Sequence, residues 1–349
     1  MLRLPRIAQD RPELQDRPWP PVPEFEAFTP EFEAFLFADR ATQYAQLANL
    51  RADPEGHGQF IHQGLGTLYA YVYGYPDSPS YLRSDITLES ALLTAKLLLE
   101  EEMLEAWLPV EPPPSVSNQH EAADYLQQFV QSNAGVYHEL FDYLREQASR
   151  EALLEFLRLE VCRNEVVDDE VALLVCGLQG NLKKVMASNL WDECGNGELS
   201  RFHTYWLRRL LGRLEDWDGL LAYRREAKPW FSSVTSNTFN ALLTRPAYKL
   251  RGYGCFMTTE AWVDAHFERI LGGLERVGLH HDDIAVYFLA HQTIDPHHTL
   301  ELLDGLRHQV PALTPLQAQE VVRGAHLAVA GGVSQYQRVL RHLRRIDGA

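Results

Sequence analysis

The sequence predicts an all-α protein, a helical bundle with an N-terminal helical extension. Apolar residues recur at three- and four-residue intervals in "TLESALLTAKLLLEEEMLEAWL" (87–108), "NQHEAADYLQQFVQSNAGVYHELFDYLREQ" (118–147) and "REALLEFLRLEVCRNEVVDDEVALLVCG" (150–177), as one-sided helices require. Alternating strand patterns are scarce. The breakers fall between the periodic runs: "VEPPPSVSN" (110–118) reads as a linker, and "GRLEDWDG" (212–219) and "GGLERVGLHHDD" (272–283) read as inter-helix turns.

Residues 1–22, rich in Pro, Arg and Asp, read as an extended arm. The hexapeptide "PEFEAF" then stands at 23–28 and again at 30–35, where Thr29 is placed to cap a helix and Pro30 to take its first position. Seven-residue spacing of Phe25 with Phe32, and of Phe28 with Phe35, makes an aromatic face. It would pack onto the body of the chain, the simpler reading, or onto a second subunit in a homodimer. Residues 23–117 are thus expected to form a helical extension packed on a bundle of 118–349. Along 87–108, Glu100, Glu101, Glu102 and Glu105 are expected on the solvated face, as are Glu165, Asp168, Asp169 and Glu170 in the third periodic run.

With 46% hydrophobic residues, the 349-residue chain can bury a sizeable core. Its net charge of −16 argues against nucleic acid or an anionic membrane as the main partner, since both reward basic surfaces. A small molecule or a protein is the expected partner. Cys162, Cys176, Cys194 and Cys255 are too few and scattered for a disulfide scaffold or a zinc ribbon, which fits a reducing cytoplasm. The N-terminus has no apolar signal core, and no apolar run approaches membrane-spanning length, so a soluble, unprocessed protein is expected.

Three clusters carry potential chemistry. In "HQTIDPHH", His291, Asp295 and His298 are four and three residues apart, so on a helix they share one face and could meet at one ion. The same residues also read as Asp295 capping a new helix with Pro296 at its first position. In "NLKKVMASNLWDECGNGELSRFHTYWLRRLL" (181–211), Glu193 is followed ten residues later by His203, with Gly195-Asn196-Gly197 between. Each internal glycine costs a helix roughly 1 kcal/mol relative to alanine. A continuous helix would turn His203 by about −80° from Glu193, still toward one cavity, and a distortion would bring the two closer. Taken singly, Asp192 and Glu193 read as surface charges and His203 as a core histidine. The third cluster is Glu260 in "FMTTEAW", a carboxylate among apolar residues and therefore either exposed or engaged.

In order and spacing, the three clusters resemble the iron-containing redox enzymes of the haem-oxygenase-like fold, diiron oxidases and oxygenases that bind no haem. There a glutamate in a DE-x-G-x-G stretch is followed ten residues later by a ligand histidine, as in "DECGNGELSRFH" here. A glutamate in a segment like "FMTTE" follows, and about thirty residues on comes His-x3-Asp-x2-His; here Glu260 precedes His291 by thirty-one residues. The resemblance spans roughly residues 150–305. It implies a haem-oxygenase-like bundle in which Glu193, His203, Glu260, His291, Asp295 and His298 hold two Fe ions. It further implies O2 as co-substrate, an external electron donor, and N-oxygenation, desaturation or oxidative C–C cleavage of a small amino-acid-like or fatty-acid-like substrate. Independently, mixed imidazole and carboxylate donors favour iron or manganese, and helical bundles are where carboxylate-bridged diiron sites are built.

Two departures from the family pattern bear on the site. Some members have another carboxylate seven residues after the first glutamate; here that residue is Ser200, with Glu198 nearby but out of register. Pro296 interrupts the last triplet and predicts a kink, with His297 a substitute for His298. "RPAYKLRGYG" offers Arg245, Lys249 and Arg251 as anchors for a substrate carboxylate, against the simpler reading of a surface basic turn. Trp191, Trp206, Trp230 and Trp262 would line a pocket or pack the core. The alternatives are a metal-free cofactorless oxidase or small-molecule-binding protein of the same fold, and a non-enzymatic interaction protein. A true haem oxygenase, with one proximal histidine, would leave five ligand-type residues unexplained.

Overall fold

Helix α1 (Pro30–Phe37) begins where the sequence places it: the Phe32 amide donates to Thr29 Oγ1 at 3.3 Å and Pro30 takes the first position. Its Phe32, Phe35 and Leu36 are buried, and Phe35 meets Phe60 edge-on at 5.2 Å, so this aromatic face packs into the chain's own core. The computed structural model describes residues 28–74, 78, 84–164, 166–214, 219, 223 and 227–348. The expected arm, Phe25, Glu165 and residues 215–218 of the expected turn lie outside these, as does the Asp295 side chain.

The chain continues through α2 (Arg40–Leu50), α3 (Pro54–Tyr73) and α4 (Ile86–Glu102), which closes in a π-turn at Met103–Trp107. After the proline-rich linker, Asn118 accepts from the His120 and Glu121 amides and starts α5 (Gln119–Ser132). Next come α6 (Glu139–Glu146), α7 (Arg150–Asn164), α8 (Val167–Val175), α9 (Gly180–Glu193), α10 (His203–Leu214) and α11 (Val234–Leu243). Three long helices finish the bundle: α12 (Lys249–Arg276), α13 (Asp282–Arg307) and α14 (Pro315–Ile346). No strand occurs among the described residues.

Helix α12 is the axis, packing on α13, α14 and α6. It meets α14 backbone to backbone: a Cβ on Gly254 would lie 1.9 Å from the Val321 carbonyl oxygen, and one on Gly324 1.9 Å from that of Arg251. Two apolar clusters flank this axis. One holds Phe35, Leu65 and Leu99 of the N-terminal helices together with Leu242, Phe256 and Val321, and the other joins α6, α7 and α10 to α12 and α13.

The acidic runs depart from expectation. Only Glu101 and Glu105 of the first run are exposed. Glu100 is fully buried, accepting from the Tyr69 hydroxyl at 2.9 Å and the Thr244 hydroxyl at 3.2 Å, with Lys96 Nζ at 3.0 Å; burial pushes its pKa up. Glu102 takes Arg51 through both oxygens at 2.6 and 2.7 Å and lies 3.0 Å from His57 Nε2. In the third run Glu170 is fully buried, accepting from Arg163 at 3.1 Å and Asn240 at 3.1 Å. These helices are covered on more than one side, and each carboxylate turned inward has a donor from a distant segment.

The basic segment is likewise committed to the fold. Lys249 Nζ donates to the Leu173 carbonyl at 2.6 Å and the Leu243 carbonyl at 2.7 Å, tying the C-terminal ends of α8 and α11. Arg251 pairs with Glu320, and Arg245 lies over the Tyr248 ring at 4.6 Å.

Candidate metal centre

Helix α9 does not run on to His203. After Glu193 the backbone enters the left-handed region at three successive residues, Gly195 (φ 57°), Asn196 (φ 56°) and Gly197 (φ 83°), then passes a 3-10 turn at Leu199–Arg201 before α10 begins. Glycine is required at 195, where a Cβ would stand 2.5 Å from the Arg201 carbonyl carbon. The reversal brings Glu193 Oε2 to 2.7 Å from His203 Nδ1, which a continuous helix would not do.

Both atoms are buried, and the second ring nitrogen, His203 Nε2, is buried without a hydrogen-bond partner. The His203 ring stacks on Trp206 at 5.0 Å and meets the His291 ring at 4.3 Å between centroids. Burial opposes the Glu193 carboxylate, but His203, His291 and His298 outweigh it and hold its pKa below the usual carboxylate range.

The other donors come from α12 and α13. Helix α13 is unbroken through Pro296 and starts far upstream, where His281 caps it by accepting from the Asp283 amide, so Asp295 does not begin a helix. His298 is buried at 2% exposure while His297 is exposed, which selects His298 as the inward residue. His291 Nδ1–H donates to the Tyr287 carbonyl at 2.6 Å, leaving the lone pair on Nε2. Burial and the neighbouring His203 lower its pKa to about 3, so the ring is neutral at physiological pH.

His298 lies between two carboxylates, with Nδ1 3.3 Å from Glu260 Oε2 and Nε2 3.2 Å from Asp192 Oδ2. Burial raises the Glu260 pKa, and His298 opposes that rise. Asp192 also accepts from Asn196 Nδ2 at 3.1 Å. The sequence reads Asp192 as a surface charge; the glycine-flanked turn that begins three residues downstream is the available hint that it faces inward. Glu198 is exposed and pairs with Arg201 at 3.0 Å, and Ser200 is exposed, so neither replaces the carboxylate some relatives have. Asp168 is pushed up by burial, then by Asp169, with Glu193 adding to the rise, which sets it beside the site rather than in free solvent. Trp206 lines the site, Trp262 packs in the core, and Trp191 is exposed.

Five predicted residues, Glu193, His203, Glu260, His291 and His298, thus gather where α9, α10, α12 and α13 meet. Among the described residues no three such side chains already stand around one point as a metal cage. The donor chemistry nevertheless fits iron: imidazoles and carboxylates meet in a buried site where His203 Nε2 has no protein partner, and the neighbouring Cys194 thiol is pushed toward its protonated form by burial and by Asp168 and Glu193. Nearby, a cavity of about 60 Å³ is walled by Phe141, Glu160, His266, Phe267, Ile270 and Tyr336 among others, and the Phe267 ring lies 5.5 Å from that of His291.

Carboxylates and imidazoles thus gather inside an all-α bundle of the haem-oxygenase-like fold. The sequence matches the iron-containing redox enzymes over residues 154–333, just over half its length, and the chain belongs to that family. It is similar to two crystal structures of a CADD-like protein of unknown function from Nostoc punctiforme, at 2.00 and 1.35 Å resolution. Each has a TM-score of 0.51, with 15% and 14% identity over 64% and 66% of this chain and 97% of that one. Likeness at that identity bears on the fold alone. No curated protein matches the chain. Among the described residues no helix is long and apolar enough to cross a membrane.

Proposed function

We propose that the protein is a non-haem diiron oxidase or oxygenase that uses O2 to oxidise a small amino-acid-like or fatty-acid-like substrate. The outcome is N-oxygenation, desaturation or oxidative C–C cleavage, with electrons from an external donor and a reducing cytoplasm as the setting. One observation carries the reading: Glu193 Oε2 and His203 Nδ1 are buried 2.7 Å apart, and His203 Nε2 is buried with no hydrogen-bond partner, the ring lying against that of His291. A buried nitrogen without a partner costs about 1–3 kcal/mol of lost hydration, and native folds keep few of them without a role.

Glu193, His203, Glu260, His291, Asp295 and His298 would hold the two irons. Bound iron would supply Lewis acidity and electron transfer to O2. Glu193 stays ionised in its histidine surroundings and so remains a donor. His291 is kept neutral by burial and fixed as the Nδ1–H tautomer by the Tyr287 carbonyl, which directs Nε2 inward. Trp206 and Phe267 cover the two histidines on their apolar sides and exclude water from them. The cavity beyond Phe267, about 60 Å³, supports a compact substrate group of a few heavy atoms.

Anaerobic Fe(II) loading followed by metal analysis tests the reading. Wild type should retain iron, and His203→Ala and His291→Ala should each lose a substantial share. Iron content unchanged by both substitutions would sink the proposal.

A further inference from the structure

We propose that Asp192 is a positioning residue that orients His298 so that Nδ1, the nitrogen facing Glu260, is presented to the metal. This rests on the iron-centre reading above. Asp192 Oδ2 lies 3.2 Å from His298 Nε2 and Glu260 Oε2 3.3 Å from Nδ1, and both carboxylates can only accept; an ion held by Glu260 takes the Nδ1 lone pair and leaves the ring's one hydrogen on Nε2, where Asp192 accepts it.

Asp192 is itself held. Its Oδ1 accepts from Asn196 Nδ2 at 3.1 Å, and Asn196 sits at φ 56° and ψ 33°, a conformation asparagine adopts more readily than most residues. The turn that reverses the chain between Glu193 and His203 therefore also fixes the carboxylate behind His298.

On the other side, Nδ1 and Glu260 Oε2 are 3.3 Å apart. Two donors on neighbouring positions of one ion, with bonds of about 2.1 Å at roughly right angles, are separated by about 3 Å. His298 Nδ1 and Glu260 are thus spaced to serve the same ion, with Asp192 as the partner of the opposite ring nitrogen. Ligating histidines generally donate their second N–H in this way, and loss of that partner costs 10- to 100-fold in metal affinity.

The two histidines of α13 then work through opposite nitrogens. His291 donates Nδ1–H to the carbonyl one turn earlier on its own helix and offers Nε2. His298 is oriented from α9 and offers Nδ1. A substitution on α9 should therefore change the second histidine without touching the first.

The test combines two-bond 1H–15N spectra of histidine-labelled, Zn(II)-loaded protein, His298 being assigned through His298→Gln, with Co(II) titration followed by its visible absorption. Wild-type His298 should be the Nε2–H tautomer. Asp192→Ala should lose that preference and bind Co(II) 10- to 100-fold more weakly, with the His291 signals unmoved. Asp192→Asn, which keeps an acceptor, should recover most of the affinity. Asn196→Gly, which keeps the turn and removes only the support of Oδ1, should weaken binding a few-fold. Unchanged tautomer and affinity in Asp192→Ala, beside a wild type that binds Co(II), would overturn the role of Asp192 alone. No Co(II) binding by wild type would overturn the metal centre and this proposal together.

Discussion

Gly195→Ala isolates the turn that sets Glu193 against His203. The substitution places a side chain at φ 57°, where a non-glycine residue costs about 1–2 kcal/mol. The new Cβ would also lie 2.5 Å from the Arg201 carbonyl carbon and 2.7 Å from the Phe202 amide nitrogen. Both are backbone atoms with no flexible end to swing away, so an overpacking cost of about 1–3 kcal/mol adds to the first. The total of about 2–5 kcal/mol corresponds to a fall of roughly 4–10 °C in Tm at about 2 °C per kcal/mol. Relief requires moving residues 201–202 by about 1 Å, which carries His203 with them, so Co(II) affinity should fall in the same variant. Circular-dichroism melts and a Co(II) titration read the two effects. Gly66→Ala is the control of opposite sign: it is helical, has nothing within 4 Å of its Cβ position, and should gain about 0.5–1 kcal/mol. A Gly195→Ala protein as stable as wild type, binding Co(II) equally well, would refute the steric reasoning.

Three further outcomes follow from the same structure. Gly254→Ala should destabilise by at least about 3 kcal/mol in thermal melts, although alanine is the better helix former, because its Cβ meets the Val321 carbonyl oxygen at 1.9 Å across α12 and α14; a neutral result would mean the helices separate at little cost. The hydrogen bonds from Arg51 hold the Glu102 pKa below its ordinary value. Its contribution is therefore complete above the unfolded-state pKa near about 4.3 and is lost as pH falls through the lower folded value. Glu102→Gln should lower stability by about 1–2 kcal/mol at pH 7, modest because Arg51 is half exposed, and Tm curves of the two proteins should converge as pH falls through the lowered folded-state pKa. His297→Ala should leave Fe(II) content at the wild-type level while His298→Ala reduces it, since the first side chain is exposed and the second buried; equal losses would contradict the facing of α13.

Much of this arrangement is legible from local pattern. The Thr29-Pro30 start of α1, the helices built from the periodic runs, and the gathering of Glu193, His203, Glu260, His291 and His298 all rest on spacing of a few to about thirty residues. The misread residues share one property: their state depends on distant partners. Glu100 and Glu102 look like a solvated face until Thr244 and Arg51 arrive from 144 and 51 residues away. Lys249 looks like part of a surface turn until the carbonyls ending α8 and α11 converge on it. Pro296 looks like a helix start, yet its missing N–H is tolerated inside α13, whose start is decided at His281.

By itself the sequence determined the all-α class and the order of the carboxylate and imidazole side chains, because side-chain identity and helical period are properties of a short stretch of chain. Tertiary structure alone decided which atoms meet. Three left-handed residues turned a ten-residue spacing into a 2.7 Å approach between Glu193 and His203. Packing of α13 chose His298 over His297, and the end of α9 set Asp192 behind it. Burial and pairing of charge are properties of the assembled interior, where the cost of desolvating a carboxylate is met by whichever donors the other helices bring.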